Sequence, residues 1–404
     1  MKTILATAYA INPYKGSEDG MGWNFTLQIA RFNKVIAITR QNNQPHIEKY
    51  MQENPNPIYE NMQFLYFDLP YWMRFWKKGG RGAMLYYILW QKGIVSFIKQ
   101  QHIKYDIVHN LNFHNDWTPS YLWKLEKPFI WGPIGHHPKI PKQYLRPYSS
   151  KYLIKDRLTW KVKQFFWKIS SSLNKTKNKA NHIFCMNSAS AKQLKLQQNF
   201  SVMPSVATQD FGWNEIKDSK DFTLISAGRF VPLKGFDLSI QAFAKFYHSL
   251  KKEQKENCKL ILVGKGPEED YLKKLTLKLN IEKQVKFISW IERDKLMKIF
   301  KDSSAFLFPS HEGAGMVVAE ALSFGLPVIC LDNEGPGEFI NKECGYAVTH
   351  TTYEKTCTYL SSAIFEVYKQ GLDNTMRKAA RNHFLNHFHW DRRGEQLAEI
   401  YAKL

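Results

Sequence analysis

Short apolar runs of four to six residues recur along the chain, most ending in glycine or polar residues, with apolar positions at helical spacing between them. The first is "KTILATAYA", with Ile4, Leu5, Ala6 and Ala8. The polar "NPYKGSED" follows at once, so this run predicts a first strand rather than a secretory leader. A helical period then appears in Phe25, Ile29 and Phe32, and "KVIAITR" predicts the next strand. "YDIVHNLNF", "KPFIWGPIG" and "ANHIFCMNS" continue the series in the first half. In the second half it resumes with "DFTLISAG", "CKLILVG", "QVKFISWI", "SAFLFPS" and "LPVICLD". Strands alternating with helices predict parallel sheets covered by helices, and two such arrays in 404 residues predict two domains. The expected architecture is α/β: two facing Rossmann-like domains, 1–205 and 206–385, with a cleft between them. In the final "WDRRGEQLAEIYAKL", Leu397, Ile400, Tyr401 and Leu404 predict an amphipathic helix, about 386–404, crossing back to the first domain.

Composition narrows the setting. The longest apolar stretches fall short of the about 18 residues needed to span a bilayer. Five cysteines, an odd and unpaired-looking number, predict no disulfide framework, and they form no zinc-ligand spacing with histidine, so reducing cytosol is the expected compartment. The net charge of +21 is unevenly spread. Pro70 to Tyr105 contains no acid, while Arg74, Lys77, Lys78 and Arg81 alternate with Trp72, Phe75 and Trp76. Lys139 to Lys179 is similarly basic and aromatic against the single acid Asp156. Lysines interleaved with aromatic residues suit the headgroup layer of an anionic membrane. A lysine-rich composition with solvated helix faces would leave the same pattern. No nucleic-acid motif accompanies the charge, so no nucleic-acid partner is expected.

Ligands of doubly wound sheets bind beyond the carboxyl ends of the strands, which is where the glycine turns fall. "SAGRFVPLKG" places Gly228, Arg229 and Lys234 in the loop between a strand and a helix; two cations there suit a diphosphate. "LVGKGPEEDYL" repeats the design with Gly264 and Gly266, but it is not a Walker A loop, and "GSEDGMGW" is not a dinucleotide fingerprint. In "FPSHEGAGMVVAEALSFGLPVIC", Glu312 and Glu320 stand eight positions apart around a glycine turn. The amides of Gly315, Met316 and Val317 would open a helix there and form a main-chain anion site. Carboxylates beside such a site suit hydroxyl groups: Glu320 a ribose, Glu312 a sugar. An ordinary acid near a helix N-terminus is the simpler reading of Glu312.

Taken together, Glu312–Glu320, "GRFVPLKG", "LVGKGP" and "GSEDGMGWN" resemble the retaining glycosyltransferases of family 4, which have the GT-B fold. "WGPIG" and "CLDNEGPGE" are similar to turns of one subgroup of that family. The resemblance covers nearly the whole chain. It implies that Arg229 and Lys234 contact the donor diphosphate and that the Gly315–Val317 amides contact its distal phosphate or sugar. Gly228, Gly264 and Gly266 would line the donor turns, Glu320 would hold the ribose and Glu312 the transferred hexose. Gly20 and Gly22 would let an N-terminal loop approach the phosphates. His109 or His114 would lie near the reacting carbon, although a histidine after a strand is more often structural. No metal and no cofactor are implied, a nucleotide diphosphate sugar being co-substrate. Where relatives carry a glycine triplet, this chain has Gly135, His136, His137, Pro138 and Lys139, a turn expected to be cationic and to face an anionic acceptor.

The function expected is transfer of a hexosyl residue, with retention, to a lipid-linked saccharide or glycan acceptor in surface polysaccharide or glycoconjugate synthesis. The setting would be the inner face of the cytoplasmic membrane, with peripheral attachment. The alternatives are a sugar-nucleotide epimerase or phosphorylase of the same fold, a non-catalytic protein that kept the fold, and a basic membrane- or nucleic-acid-binding protein.

Overall fold

The apolar runs become strands of two separate parallel sheets. The computed structural model describes all of residues 1–404 except 112–114, 205, 214–220, 290 and 371–373. One sheet contains β1 (Thr3–Thr7), β2 (Lys34–Thr39), β3 (Met62–Tyr66), β4 (Ile107–Asn110), β5 (Phe129–Ile134), β6 (His182–Cys185) and β7 (Phe200–Val202). Its order is β3-β2-β1-β4-β5-β6-β7. The other contains β8 (Phe222–Ala227), β9 (Cys258–Val263), β10 (Val285–Ile288), β11 (Ala305–Phe308), β12 (Val328–Leu331) and β13 (Gly345–Val348), in the order β10-β9-β8-β11-β12-β13. The pairs are parallel throughout, for example Leu224 with Ala305 and Ile225 with Phe306 across β8 and β11. Central strands are apolar on both faces because helices cover both, so β4, β5, β11 and β12 are buried along their whole length. The two Rossmann-like sheets expected from the sequence are thus present.

One compact unit comprises Met1–His136, Lys161–Ser205 and Trp390–Leu404; the other comprises His137–Trp160 and Val206–His389. In each sheet the strand order reverses beside the first strand, between β1 and β4 and between β8 and β11. A crevice opens at the carboxyl ends of the strands at such reversals, which makes them the natural ligand positions.

Within the first unit, the helix Trp390–Lys403 lies on the helix Ser17–Ala30. Trp390 meets Phe25 edge-on at 5.4 Å, and Arg31 pairs with Asp391 at 2.6 Å. Gly394 is needed for that approach, since a Cβ there would stand 2.4 Å from Gln28 Oε1. The "GSEDGMGW" stretch departs from expectation. It is not a glycine loop: the helix already begins at Ser17, with Glu18 and Asp19 in its first turn, so Gly20 and Gly22 are buried inside it. Acids favour a helix N-terminus, and they start this one ahead of the glycines. All five cysteines are free and buried, and no helix among the described residues is long and apolar enough to cross a membrane.

Candidate functional site

The second unit gathers the polar residues of the β8 and β11 turns at its strand reversal. Beyond β8 the chain passes through Gly228 at φ +149°, exposes Arg229, and makes a short 3-10 turn, Pro232–Lys234. Beyond β11, the His311 amide donates to the Leu233 carbonyl at 2.9 Å, and Ser310 Oγ donates to the same oxygen at 3.2 Å. These bonds lock the two turns together. Lys234 Nζ consequently reaches Glu312 Oε2 at 2.7 Å and lies 5.2 Å from the centre of the Phe308 ring. Both members of the ion pair are largely withdrawn from solvent, at 18% and 19% exposure.

The β9 turn is stacked against the β8 turn. A Cβ on Gly264, at φ +153°, would stand 1.8 Å from the Gly228 carbonyl oxygen, and one on Gly266 would stand 2.4 Å from that of Phe230. The backbone of Phe230 donates to Lys265 and accepts from Glu268. These two glycines therefore buttress the cation-bearing turn. The β12 turn buttresses Glu312 in the same manner: Asn333 Nδ2 donates to the Ser310 carbonyl at 2.7 Å, and Gly335 sits against the Glu312 carbonyl.

The helix Met316–Ser323 starts directly after this turn, with Gly315 as its N-cap, so the first-turn amides of Gly315, Met316 and Val317 stand at its positive end. Glu320, within the helix, is buried. Burial pushes its carboxyl above the usual carboxylate range, opposed by Arg293, whose Nη2 lies 2.6 Å from Oε1. Arg293 follows β10, is about half exposed, and stands over the Phe211 ring at 5.4 Å. Each glutamate of the pair thus has a cation: Lys234 for Glu312, Arg293 for Glu320. Sequence reasoning missed Arg293. Its one signal is its place after a strand, like that of Arg229, and nothing in its spacing ties it to Glu320.

His137 also belongs to this unit, where its Nδ1 accepts the Gly313 amide at 3.3 Å. His137 of the Gly135–Lys139 turn thus meets the glycine turn that follows Glu312. Burial pushes the His311 imidazole down to about 3, with His350 adding to the effect, so that ring is neutral.

Other candidates lie in the first unit. His109 is fully buried on β4, with Nε2 2.7 Å from the Gly132 carbonyl and Nδ1 2.7 Å from Tyr401 Oη. Burial pushes it down to about 3, so the neutral ring donates from Nε2 and accepts the tyrosine proton at Nδ1. Both nitrogens are engaged in joining β4, β5 and the C-terminal helix. His136 Nδ1 pairs with Asp116 Oδ2 at 2.8 Å, both residues buried. Asp116 was not visible as a partner in the sequence, twenty positions away. Glu18 was also passed over: loss of hydration pushes its carboxyl up to about 7, Asp19 adding to the shift. His114 lies outside the described residues.

Residues 208–383 match the family described as Glycosyl transferases group 1, and every residue of the β8 and β11 turns falls within that range. An uncharacterized glycosyltransferase of Methanocaldococcus jannaschii is 31% identical over 121 residues, 30% of this chain and 30% of that protein. A GDP-mannose-dependent monoacylated alpha-(1-6)-phosphatidylinositol monomannoside mannosyltransferase of Corynebacterium glutamicum is 28% identical over 185 residues, 43% of this chain and 45% of that protein. The chain thus spans less than half the length of these curated relatives. Anabaena HepE, solved in complex with UDP, superposes with a TM-score of 0.62 at 16% identity, covering 100% of both chains. That likeness shows the fold, which is GT-B.

Proposed function

We propose that this chain is a metal-independent retaining glycosyltransferase of family 4 that moves a hexosyl residue from a nucleotide diphosphate sugar to a lipid-linked or glycan acceptor. The observation that carries the reading is the joint placement, at one strand reversal, of Arg229, the Lys234–Glu312 pair, a helix N-terminus and buried Glu320, which half-exposed Arg293 reaches from beyond β10. The group 1 match over the same residues supports it, as does the UDP bound by the structurally similar HepE.

In this reading Arg229 and Lys234 stabilise charge as it grows on the departing diphosphate, and the Gly315–Val317 amides receive the distal phosphate or the sugar. These cations and amides take the place of a divalent metal. Glu320, charged and oriented by Arg293, accepts hydrogen bonds from the ribose. Glu312 takes hydroxyl groups of the hexose and holds Lys234 in position until the donor arrives. The sugar leaves and the acceptor enters on the same face, the leaving phosphate receiving the acceptor's proton. Gly264 and Gly266 act by holding the β8 turn in place. His109 fixes β4 to the C-terminal helix. The protein works in surface glycoconjugate synthesis, peripheral to the cytoplasmic face of a membrane.

The test is a screen of UDP-, GDP- and dTDP-sugars by thermal shift and donor hydrolysis. One nucleotide class should stabilise the protein and be turned over, with K234A lowering kcat on the order of a hundredfold or more. Near-normal turnover in K234A, or no response to any nucleotide sugar, contradicts the assignment.

A further inference from the structure

The helix Ser150–Ile169 is twenty residues long and has no fully buried side chain. Its apolar residues are divided between two faces. Tyr152, Leu153, Phe166 and Trp167 pack on protein. Ile154, Leu158, Val162, Phe165 and Ile169 are instead 58%, 58%, 49%, 55% and 67% exposed. Their spacing of four, four, three and four residues puts all five within a sector of about 80° and along about 22 Å of the helix. A water-facing helix surface is normally polar, so this stripe lacks a partner that a folding core would supply.

The charges around it identify the partner. Lys151, Lys155, Lys161 and Lys168 are exposed at or beside the stripe. Asp156 is the helix's one acid; it is half-buried, points away from the stripe by its helical position, and is paired with Arg157. An apolar stripe bordered by lysines and free of acid matches an anionic phospholipid surface, where the apolar side chains enter the acyl boundary and the ammonium groups meet the headgroup phosphates. A second, independent surface repeats this chemistry: Tyr71, Trp72 and Phe75 are 75%, 71% and 59% exposed within the acid-free stretch from Pro70 to Tyr105.

We infer that the helix Ser150–Ile169 is the element by which this protein docks on an anionic bilayer. The inference deepens the reading of the chain as a peripheral enzyme and rests on that reading only for its purpose. The physical test is independent of it. Co-sedimentation is measured with vesicles of phosphatidylglycerol mixed with phosphatidylcholine and with phosphatidylcholine alone, over a salt series. The wild-type chain should pellet with the anionic vesicles at low salt and be released progressively as salt rises. L158S/F165S should weaken binding by at least about a hundredfold, roughly tenfold for each apolar side chain lost. K155E/K161E should remove the preference for phosphatidylglycerol. These residues are exposed, so both variants should keep the wild-type melting temperature.

Wild-type protein left in the supernatant with anionic vesicles at low salt overturns the inference. So does equal binding to both vesicle types, or binding unchanged in L158S/F165S. If light scattering finds a dimer that L158S/F165S dissolves, the stripe is a self-association face and the bilayer assignment fails. Thermal shift with nucleotide sugars on the same samples separates the two readings. Donor binding without vesicle binding removes the docking inference alone, and the reverse removes the enzyme reading alone.

Discussion

At the scale of single residues, the site has a division of labour that composition hides. Lys234 and Glu312 were each visible in the sequence because both lie in glycine-bearing turns at strand ends. Their mutual 2.7 Å contact was not, since 78 residues separate them. A separation of 27 residues likewise concealed Arg293, which pairs with buried Glu320. Removing that cation should push the Glu320 carboxyl further up, because burial already raises it and Arg293 is what opposes the rise. R293A should therefore cost about 1 kcal/mol of stability, less than a fully buried pair would, because about half of the arginine side chain meets solvent and is screened. It should also weaken nucleoside diphosphate binding roughly tenfold, which is about 1.4 kcal/mol. R293A/E320Q should recover the stability without recovering the binding, a pattern that calorimetry with UDP and GDP on the single and double variants would reveal or refute.

At the scale of elements, most strands that the sequence announced lie inside the sheets, with the edge strand β10 announced as well. β3, β7 and β13 escaped notice, and each is a sheet edge. An edge strand is covered less completely, so its sequence need not be an unbroken apolar run: β3 is only partly buried along most of its length, and β13 mixes buried and exposed positions. The helix start at Ser17 was missed for another reason, because glycines at positions 20 and 22 imitate a turn while the acids before them nucleate the helix. The turns of the second unit were legible as glycine-rich connections, but the work of their glycines was not. Gly264 and Gly266 pack turn upon turn, so their effect on the site passes through Arg229 and Lys234. G264A must place a methyl group where the Gly228 carbonyl stands, at a backbone angle disfavoured for alanine. Relieving that overlap should cost about 2–3 kcal/mol and displace the β8 turn. Donor binding should fall along with the melting temperature. If G264A binds nucleotide as tightly as the wild type, the buttress is not what positions the cations.

At the scale of the whole molecule, the high positive charge coexists with histidines that the fold keeps neutral. His109 in the first unit and His311 in the second are both pushed down to about 3 by burial. In the unfolded chain each titrates near 6.5. Between those values the unfolded state holds a proton that the native state excludes, so stability is full above about pH 6.5 and declines as the pH falls toward 3. By pH 5 each ring accounts for about 2 kcal/mol of lost stability, since one pH unit is worth about 1.4 kcal/mol per group. The two contributions fall on different units and are separable by mutation. H109Q keeps a side-chain amide donor for the Gly132 carbonyl and removes the titrating ring, although it gives up the bond from Tyr401. It should lower stability at neutral pH but flatten the acid decline, so that the loss between about pH 7.5 and pH 5 is smaller than in the wild type by about 2 kcal/mol. Urea unfolding followed at both pH values gives the comparison directly. An undiminished decline in H109Q would mean that His109 is already protonated in the native state, and that the bonds to Gly132 and Tyr401 do not hold it neutral.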